Sequence, residues 1–313
     1  MRAAFVQALV ELAARDERIL LLTGDLGFMA LEPFAERFPS RFVNVGVAEQ
    51  NLVGLATGLA EAGFVPFVYS IAPFVALRPY EVIRNGPLLH RLPVRLVGMG
   101  GGFDYGKQGL THWALEDVGV FRVQPGMTVF VPVDQTQVPA AVAATTSCAG
   151  PVYLRLGRDS RQPLPGLDGR FRPEAVEMTR PGRDGLLLAM GSIAAEAAAA
   201  AETLGREGID LAVGVVVCVQ PPPRAALARA LAPFPFVVTV EAHYAAGGLG
   251  SLVAETLAEE GIPCRLVRCA VNVVPDGLTG SSDYLHERYG LSQGAIAEAA
   301  RRARSARPGG GAP

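Results

Sequence analysis

Hydrophobic positions along the chain alternate between short continuous runs and longer runs with helical spacing. Six runs in the first half predict buried strands, at residues 18–22, 42–47, 64–69, 93–98, 128–133 and 152–156. Four more follow in the second half, at 186–190, 211–219, 236–241 and 265–270. Helical patterns separate these runs, and one of them is the Ala-rich segment 193–204. Strands that alternate with helices in this way predict parallel sheets covered by helices on both faces.

The middle of the chain breaks this alternation. Residues 157–184 are rich in Pro, Gly, Arg and Asp and show little periodicity, which is typical of a connection between domains. We therefore expect a first α/β domain over residues 1–160, a linker over 161–184 and a smaller α/β domain over 185–301. Residues 302–313 have no apolar face and predict a disordered tail.

Composition narrows the possible partners. The 313 residues are 50% hydrophobic, which is enough for two cores. A net charge of −2, without a Lys/Arg tract, favours neither nucleic acid nor an anionic membrane as partner. The amino terminus reads as an amphipathic helix rather than a signal peptide, and no run reaches the roughly 18 apolar residues of a membrane helix. The four cysteines form no Cys-x-x-Cys motif and lie in apolar or Ala-rich segments, so we expect them to pack in the core of a protein in the reducing cytoplasm. We expect its partners to include small molecules.

One carboxylate has an unusual position. Glu49 follows a β-branched apolar strand and opens a helix built from small residues, in the segment Gly46-Val47-Ala48-Glu49-Gln50. An acidic residue in a first helical turn is favoured by the helix dipole, so Glu49 alone could be only a cap. The alternative is a carboxylate held at a packed strand-to-helix junction for chemistry.

The residues that follow favour chemistry. The segment from Phe64 to Asn85 adds an aromatic-lined strand and helix, and with the Glu49 motif it resembles the pyrimidine-binding domain of thiamine-diphosphate enzymes. The similarity is to the transketolase family and to deoxyxylulose-phosphate synthase, and it extends from about residue 23 to about residue 299. It implies two parallel-sheet α/β domains, the pyrimidine-binding domain followed by the transketolase C-terminal domain.

The resemblance also implies residue roles. Glu49 would hydrogen-bond the aminopyrimidine ring and assist proton loss from the cofactor, and Phe74 would stack on that ring. Arg78 and Tyr80 match the family's Arg-x-aromatic continuation and are expected at the cofactor site.

A glycine-rich loop from Gly98 to Trp113 follows the next strand, and its spacing does not fit a dinucleotide fingerprint. It resembles the transketolase substrate loop, which implies that His112 contacts the reacting oxygen atoms and that Gln108 binds substrate. Relatives that use sugar phosphates usually carry His, Asp and Gln, which contact substrate hydroxyls, where this chain has Gly100, Gln108 and Trp113. The resemblance thus implies that these three positions shape the substrate pocket. We therefore predict a substrate that is less hydroxylated than a pentose phosphate, or differently substituted.

Arg155 lies in the predicted strand at 152–156, and Arg158 follows that strand. The segment resembles a family element in which an arginine meets a substrate anion, which suits bidentate contact to phosphate or carboxylate. For Arg155 a salt bridge at the domain edge is the better interpretation, whereas for Arg158 both interpretations stay open.

The chain lacks the family's Gly-Asp-Gly motif with a downstream Asn, which holds a metal ion and the cofactor diphosphate. Gly24-Asp25-Leu26 with Asn51 imitates that spacing, but Leu26 replaces the last glycine, so we expect no metal site here. The resemblance then implies thiamine diphosphate and Mg²⁺ or Ca²⁺ held by a partner, an N-terminal-type transketolase subunit. It implies active sites between subunits, in an α2β2 assembly.

The leading hypothesis is the β-type subunit of a split transketolase-like enzyme. It would transfer a two-carbon ketol unit between carbonyl compounds, and only together with its partner. The β subunit of a 2-oxoacid dehydrogenase or decarboxylase is one alternative, which the Thr111-His112 loop disfavours. A non-catalytic scaffold homologue is another, which the joint presence of Glu49, Phe74 and His112 disfavours. The sequence identifies neither donor nor acceptor.

Overall fold

A computed structural model describes residues 1–158 and 163–305, which form two α/β units. The first contains a seven-stranded sheet, and its own strands are β1 Ile19–Thr23, β2 Phe42–Asn44, β3 Val65–Ile71, β4 Arg95–Met99, β5 Thr128–Phe130 and β6 Val152–Leu156. Its helices are α1 Arg2–Ala13, α2 Glu32–Arg37, α3 Glu49–Glu61, α4 Ala72–Leu77, α5 Tyr80–Ile83, α6 Asp117–Arg122 and α7 Val138–Thr145. Single turns of tighter or wider helix lie at Pro39–Arg41, Arg84–Leu88, Gly106–Gln108 and Leu110–His112.

The second unit contains a five-stranded sheet. The strands from this half of the chain are β7 Val176–Arg180, β8 Gly185–Met190, β9 Leu211–Val216, β10 Cys218–Gln220, β11 Phe236–Tyr244 and β12 Arg265–Val271. The helices are α8 Ala194–Arg206, α9 Arg224–Leu231, α10 Leu249–Glu259, α11 Ser282–Arg288 and α12 Gln293–Ser305. The strand order is β12-β11-β8-β9-β7.

The central strands of both sheets are buried along their whole length. All five residues of β1, β4 and β6 are buried, as are all six of β8 and β9. Such runs pack against helices on both faces of a parallel sheet. The predicted α/β architecture is therefore confirmed.

Each sheet departs from the predicted purely parallel pattern at one edge. β7 pairs antiparallel with β9, and β10 pairs antiparallel with β5. β7 lies inside the segment predicted as a linker. Its five residues alternate apolar and polar as a half-buried strand does, but the structure buries Glu177 and exposes Met178, so side-chain polarity does not show which face is covered.

The apolar run at 211–219 is divided between the two sheets. Its first six residues form β9 in the second sheet, whereas β10 begins at Cys218 and joins the first sheet in the order β10-β5-β6-β4-β3-β1-β2. A continuous apolar run predicts burial but does not show which sheet buries it.

The last helix is longer than predicted. α12 continues to Ser305, so the predicted tail begins at least four residues too early, while residues 306–313 lie outside the described residues. Within the described residues, no helix combines the length and hydrophobicity needed to cross a bilayer.

A buried polar cluster joins the two units. Arg155 Nε donates to Asp117 Oδ2 at 2.8 Å, and the Tyr153 hydroxyl donates to the same oxygen at 2.6 Å. Nη2 of Arg155 also donates to the carbonyl oxygens of Ala114 and of Ala242, the latter in β11. Arg155 is thus committed to a salt bridge at the junction, as predicted.

Candidate active site

Four neighbouring strands, in the order β4-β3-β1-β2, bring the predicted site residues to one edge of the first sheet. Thr23 of β1 lies opposite Tyr69 of β3, and Ser70 of β3 lies opposite Gly98 of β4, so these strands end nearly level. Ligands of open α/β sheets bind outside the carboxyl ends of their strands. The segments that follow β2, β3 and β4 carry Glu49, Phe74 and His112 respectively.

Glu49 is the first residue of α3, and its side chain is only 2% exposed. Nη1 of Arg78 donates to Glu49 Oε2 at 2.7 Å, and the Ser70 hydroxyl donates to Oε1 at 3.3 Å. Both oxygens are thus directed to β3 and the segment after α4. A simple helix cap would not need these contacts, so the carboxylate is held as part of a wider group.

Phe74 is at the centre of that group. The Arg78 guanidinium lies 3.8 Å from the Phe74 ring centroid, which is a cation–π distance. The His112 ring meets Phe74 edge-on, with centroids 5.0 Å apart and planes at 62°. The structure therefore brings Glu49, Phe74, Arg78 and His112 together from three separate segments.

The electrostatic environment keeps His112 neutral. Partial burial, and then the positive charge of Arg78, lower the pKa of His112 below its ordinary value of 6.5. Its Nδ1 lies 3.0 Å from the Thr111 hydroxyl. A neutral imidazole at neutral pH can donate one hydrogen bond and accept another.

Tyr80 has a different environment from the one expected. Its hydroxyl donates to the carbonyl oxygen of Val120 at 2.9 Å and accepts from Nε2 of Gln124 at 2.5 Å. Its ring packs against Phe121 with centroids 6.2 Å apart. These contacts account for Tyr80 as a residue that packs α5 against α6, and they do not support its predicted place at the cofactor.

The glycine-rich loop directs the side chain of one predicted pocket residue, Trp113, into the core. Trp113 is 2% exposed, its Nε1 donates to the Gly106 carbonyl at 3.2 Å, and its ring meets Phe103 edge-on. The prediction that Trp113 shapes the substrate pocket is therefore wrong. The motif locates the residue along the loop, but it does not show which way the side chain turns.

Gly100 also has a structural explanation. Its φ is +84°, a value that favours glycine, and a Cβ there would overlap the Tyr105 ring. The space beside Gly100 is thus filled by Tyr105 rather than left open.

Tyr105 connects the first group to a polar cavity. Its ring centroid lies 6.1 Å from that of His112 on one side and 4.9 Å from the Arg158 guanidinium carbon on the other. The cavity, of about 410 Å³, is lined by Arg2, Asp104, Gly106, Lys107, Gln108, Arg158, Gly280, Ser281 and Ser282. Three cationic side chains face it against one carboxylate, so it suits an anionic group.

Gln108 and Arg158 both line this cavity, so the structure brings these two predicted residues into one place. The backbone N–H of Arg158 donates to Asp104 Oδ2 at 2.8 Å, which fixes the backbone there. Sequence reasoning did not find Arg2, Lys107 or Tyr105 as members of the site. Arg2 offered no signal, because it reaches the cavity from the first helix.

The sequence that imitates a metal motif has other partners. Asp25 N donates to Asn44 Oδ1 at 2.9 Å, and Asn44 Nδ2 donates to Asp25 Oδ1 at 3.2 Å. Asp25 is thus tied to Asn44 in β2, while Asn51 lies on the exposed side of α3.

Family comparisons cover most of the chain. Residues 1–162 match the transketolase pyrimidine-binding domain, and residues 174–296 match the transketolase C-terminal domain. A 6-deoxy-6-sulfo-D-fructose transketolase subunit of Clostridium sp. is 37% identical over 96% of this chain and 93% of its own. A subunit of the apulose-4-phosphate transketolase of Actinobacillus succinogenes is 34% identical over 86% of this chain and 87% of its own.

A solved structure agrees with these matches. A split gene transketolase, described as an inactive beta4 tetramer, superposes with a TM-score of 0.86 at 37% identity and covers 97% of both chains. The family is thiamine-diphosphate dependent, and its split subunits are transferases, as predicted. The chain therefore belongs to the transketolase family.

Proposed function

We propose that this chain provides the pyrimidine-binding side of a thiamine-diphosphate site and, with a partner subunit, transfers a two-carbon ketol unit between carbonyl compounds. The observation that carries the proposal is the grouping of the buried Glu49 carboxylate with Phe74 and His112. These are the three groups that the resemblance assigns to ring protonation, ring stacking and substrate contact.

The donor set fits an aminopyrimidine ring. When bound, thiamine diphosphate supplies an electron sink that stabilises a carbanion. Glu49 would hold a proton at a ring nitrogen, and Phe74 would offer an aromatic face. The Arg78 guanidinium pairs with the Glu49 carboxylate and covers the face of the Phe74 ring. Binding of the aminopyrimidine ring therefore requires this half-exposed side chain to move away.

His112 is suited to the reacting oxygen of the substrate. It is neutral for the electrostatic reasons given above, it lies beside Phe74, and it remains partly exposed. A neutral imidazole can donate a hydrogen bond to a carbonyl oxygen and later accept one from a hydroxyl. It would therefore position the oxygen at which charge changes.

We assign the polar cavity to the anionic end of the substrate. Arg2, Lys107 and Arg158 supply positive charge, and arginine suits bidentate contact with phosphate or sulfonate oxygens. Two of the relatives are named for 6-deoxy-6-sulfo-D-fructose and apulose 4-phosphate, which are anionic sugars other than xylulose 5-phosphate. We infer an anionic ketose of this kind, with Gln108 close to the anion.

A partner subunit would complete the site. Val47, Leu77 and Leu110 lie next in sequence to Ala48–Glu49, Arg78 and the Thr111-His112 pair, and they are 72%, 37% and 48% exposed. Large exposed apolar patches rimmed by polar residues mark interaction sites, and these three side chains offer apolar surface beside the site. We propose that a subunit carrying the diphosphate contacts and the Mg²⁺ or Ca²⁺ ion covers this rim, in an α2β2 enzyme.

Calorimetry with and without the partner tests this assembly. We expect weak thiamine diphosphate binding by this chain alone and tight, Mg²⁺-dependent binding by the mixture. Tight metal-dependent binding by this chain alone would contradict the shared site.

Kinetics of the assembled enzyme test the substrate. With 6-deoxy-6-sulfo-D-fructose as donor, Arg158→Met should raise KM with little change in kcat, while the surface control Arg206→Met should change neither. A kcat/KM of about 10⁴ M⁻¹s⁻¹ or more for xylulose 5-phosphate with ribose 5-phosphate would refute the substrate assignment.

A further inference from the structure

We propose that Glu196, Asp283 and His286 form a binding site for one divalent transition-metal cation such as Zn²⁺. One ligand atom from each side chain lies within 4.8 Å of the others. Among residues 1–158 and 163–305, no second group of three His, Cys, Asp or Glu side chains meets this condition. The cluster belongs to the C-terminal unit and takes no part in the Glu49 group.

Two helices build the cluster. Asp283 and His286 are three positions apart on α11, so they share one face of the helix, and Glu196 lies in the first turn of α8. The backbone N–H of Gln293 donates to Glu196 Oε2 at 3.0 Å, which orients that carboxylate. Hydrogen bonds of this kind are the usual means by which proteins orient metal ligands.

His286 is the least expected member. It is 5% exposed, and its ring meets Phe103 edge-on with centroids 6.1 Å apart. An imidazole so far from solvent, with carboxylate oxygens at close range, provides a nitrogen ligand already in position. Only Asp283 is exposed, so only it has wide freedom to adjust.

The donor set selects the type of cation. One imidazole nitrogen and two carboxylate oxygens suit Zn²⁺ and similar ions, whereas Mg²⁺ and Ca²⁺ prefer oxygen ligands alone. Zinc bonds to such atoms are about 2.0–2.2 Å long, so ligand atoms on one ion lie at most about 4.4 Å apart. The three ligand atoms lie within 4.8 Å of one another, so small side-chain rotations would bring them onto one ion, and water would complete the coordination.

The position of the cluster suggests what a bound ion would do. The Ser282 hydroxyl at the start of α11 donates to the Phe103 carbonyl, and Ser281 and Ser282 line the polar cavity. A cation shared by α8 and α11 would therefore fasten one wall of that cavity to the core of the C-terminal unit. This inference does not depend on the proposed function.

Titration of the chelator-treated full chain with ZnCl₂, in a buffer that does not bind zinc, tests the site. We expect one Zn²⁺ per chain with a Kd below about 100 μM. Asp283→Asn and Glu196→Gln keep side-chain size and should each weaken binding by at least about 10-fold, with unchanged circular dichroism. Glu287→Gln, an exposed neighbour on α11, and His90→Gln, at an exposed histidine outside the cluster, should bind as the parent does.

Cobalt gives a second readout. Co²⁺ should give d–d absorption bands that Zn²⁺ abolishes and excess Mg²⁺ does not. The inference is overturned if no Zn²⁺ binds below about 1 mM, or if Asp283→Asn and Glu196→Gln bind as tightly as the parent. Either result would mean that the three side chains form only a hydrogen-bonded cluster.

Discussion

Replacing Arg155 by Met should destabilise the protein strongly, because the change leaves Asp117 buried without its cation. Arg155 and Asp117 have side chains that are 5% and 1% exposed, and their charged atoms are 2.8 Å apart. Removing one partner of such a buried pair costs about 3–5 kcal/mol. The loss of two hydrogen bonds, to the Ala114 and Ala242 carbonyls, belongs to the same change.

A double-mutant cycle isolates the pair. Asp117→Asn alone should also be costly, since it leaves the guanidinium buried, whereas the double variant should cost about 1–3 kcal/mol less than the sum. Urea unfolding followed by far-ultraviolet circular dichroism gives each free energy of unfolding.

A surface ion pair provides the matched control. Arg301 pairs with Glu207, and both side chains are about two-fifths exposed, so Arg301→Met should cost far less stability than Arg155→Met. The reasoning is refuted if Arg155→Met costs no more than this control. It is also refuted if the two junction variants are simply additive.

Three further predictions concern the site. In the assembled enzyme, Glu49→Gln should slow proton exchange at the cofactor by about 10²- to 10⁴-fold, measured by NMR; a rate within a few-fold of the parent would leave Glu49 as a helix-terminal charge. Arg78→Met removes one of the two effects that lower the pKa of His112, so this pKa should rise toward 6.5 in an NMR titration, with His112→Gln identifying the resonance. An unchanged pKa would show that burial alone sets it. Gly100→Ala should destabilise the protein by about 1–3 kcal/mol in urea unfolding, because φ is +84° and the new Cβ meets Tyr105; no loss would contradict that packing.

Local patterns predicted most of the fold and part of the site. The strands could be located because their apolar runs are continuous, and Glu49, Phe74 and His112 could be found because short motifs surround them. Their grouping follows from level strand ends, which a parallel sheet produces without further information.

The site features that the sequence did not predict depend on contacts between segments that are distant in the chain. Arg2 and Arg158 line one cavity although 156 positions separate them, and no local pattern contains that contact. Trp113 lies in the predicted loop, but its orientation depends on Phe103 and on Tyr289 of the C-terminal unit, so alignment with a motif could not reveal it.

The path of the chain through β10 limits how this protein can be cut or recombined. The three residues of β10 come from beyond the domain connection, yet they cover the outer edge of β5 in the first sheet. A fragment that ends near residue 160 would leave that edge open, and an open edge strand is a template for pairing with another chain. Swapping C-terminal units between relatives would therefore also replace a strand of the pyrimidine-binding sheet, so compatible exchanges must match β5 as well as the junction at Arg155.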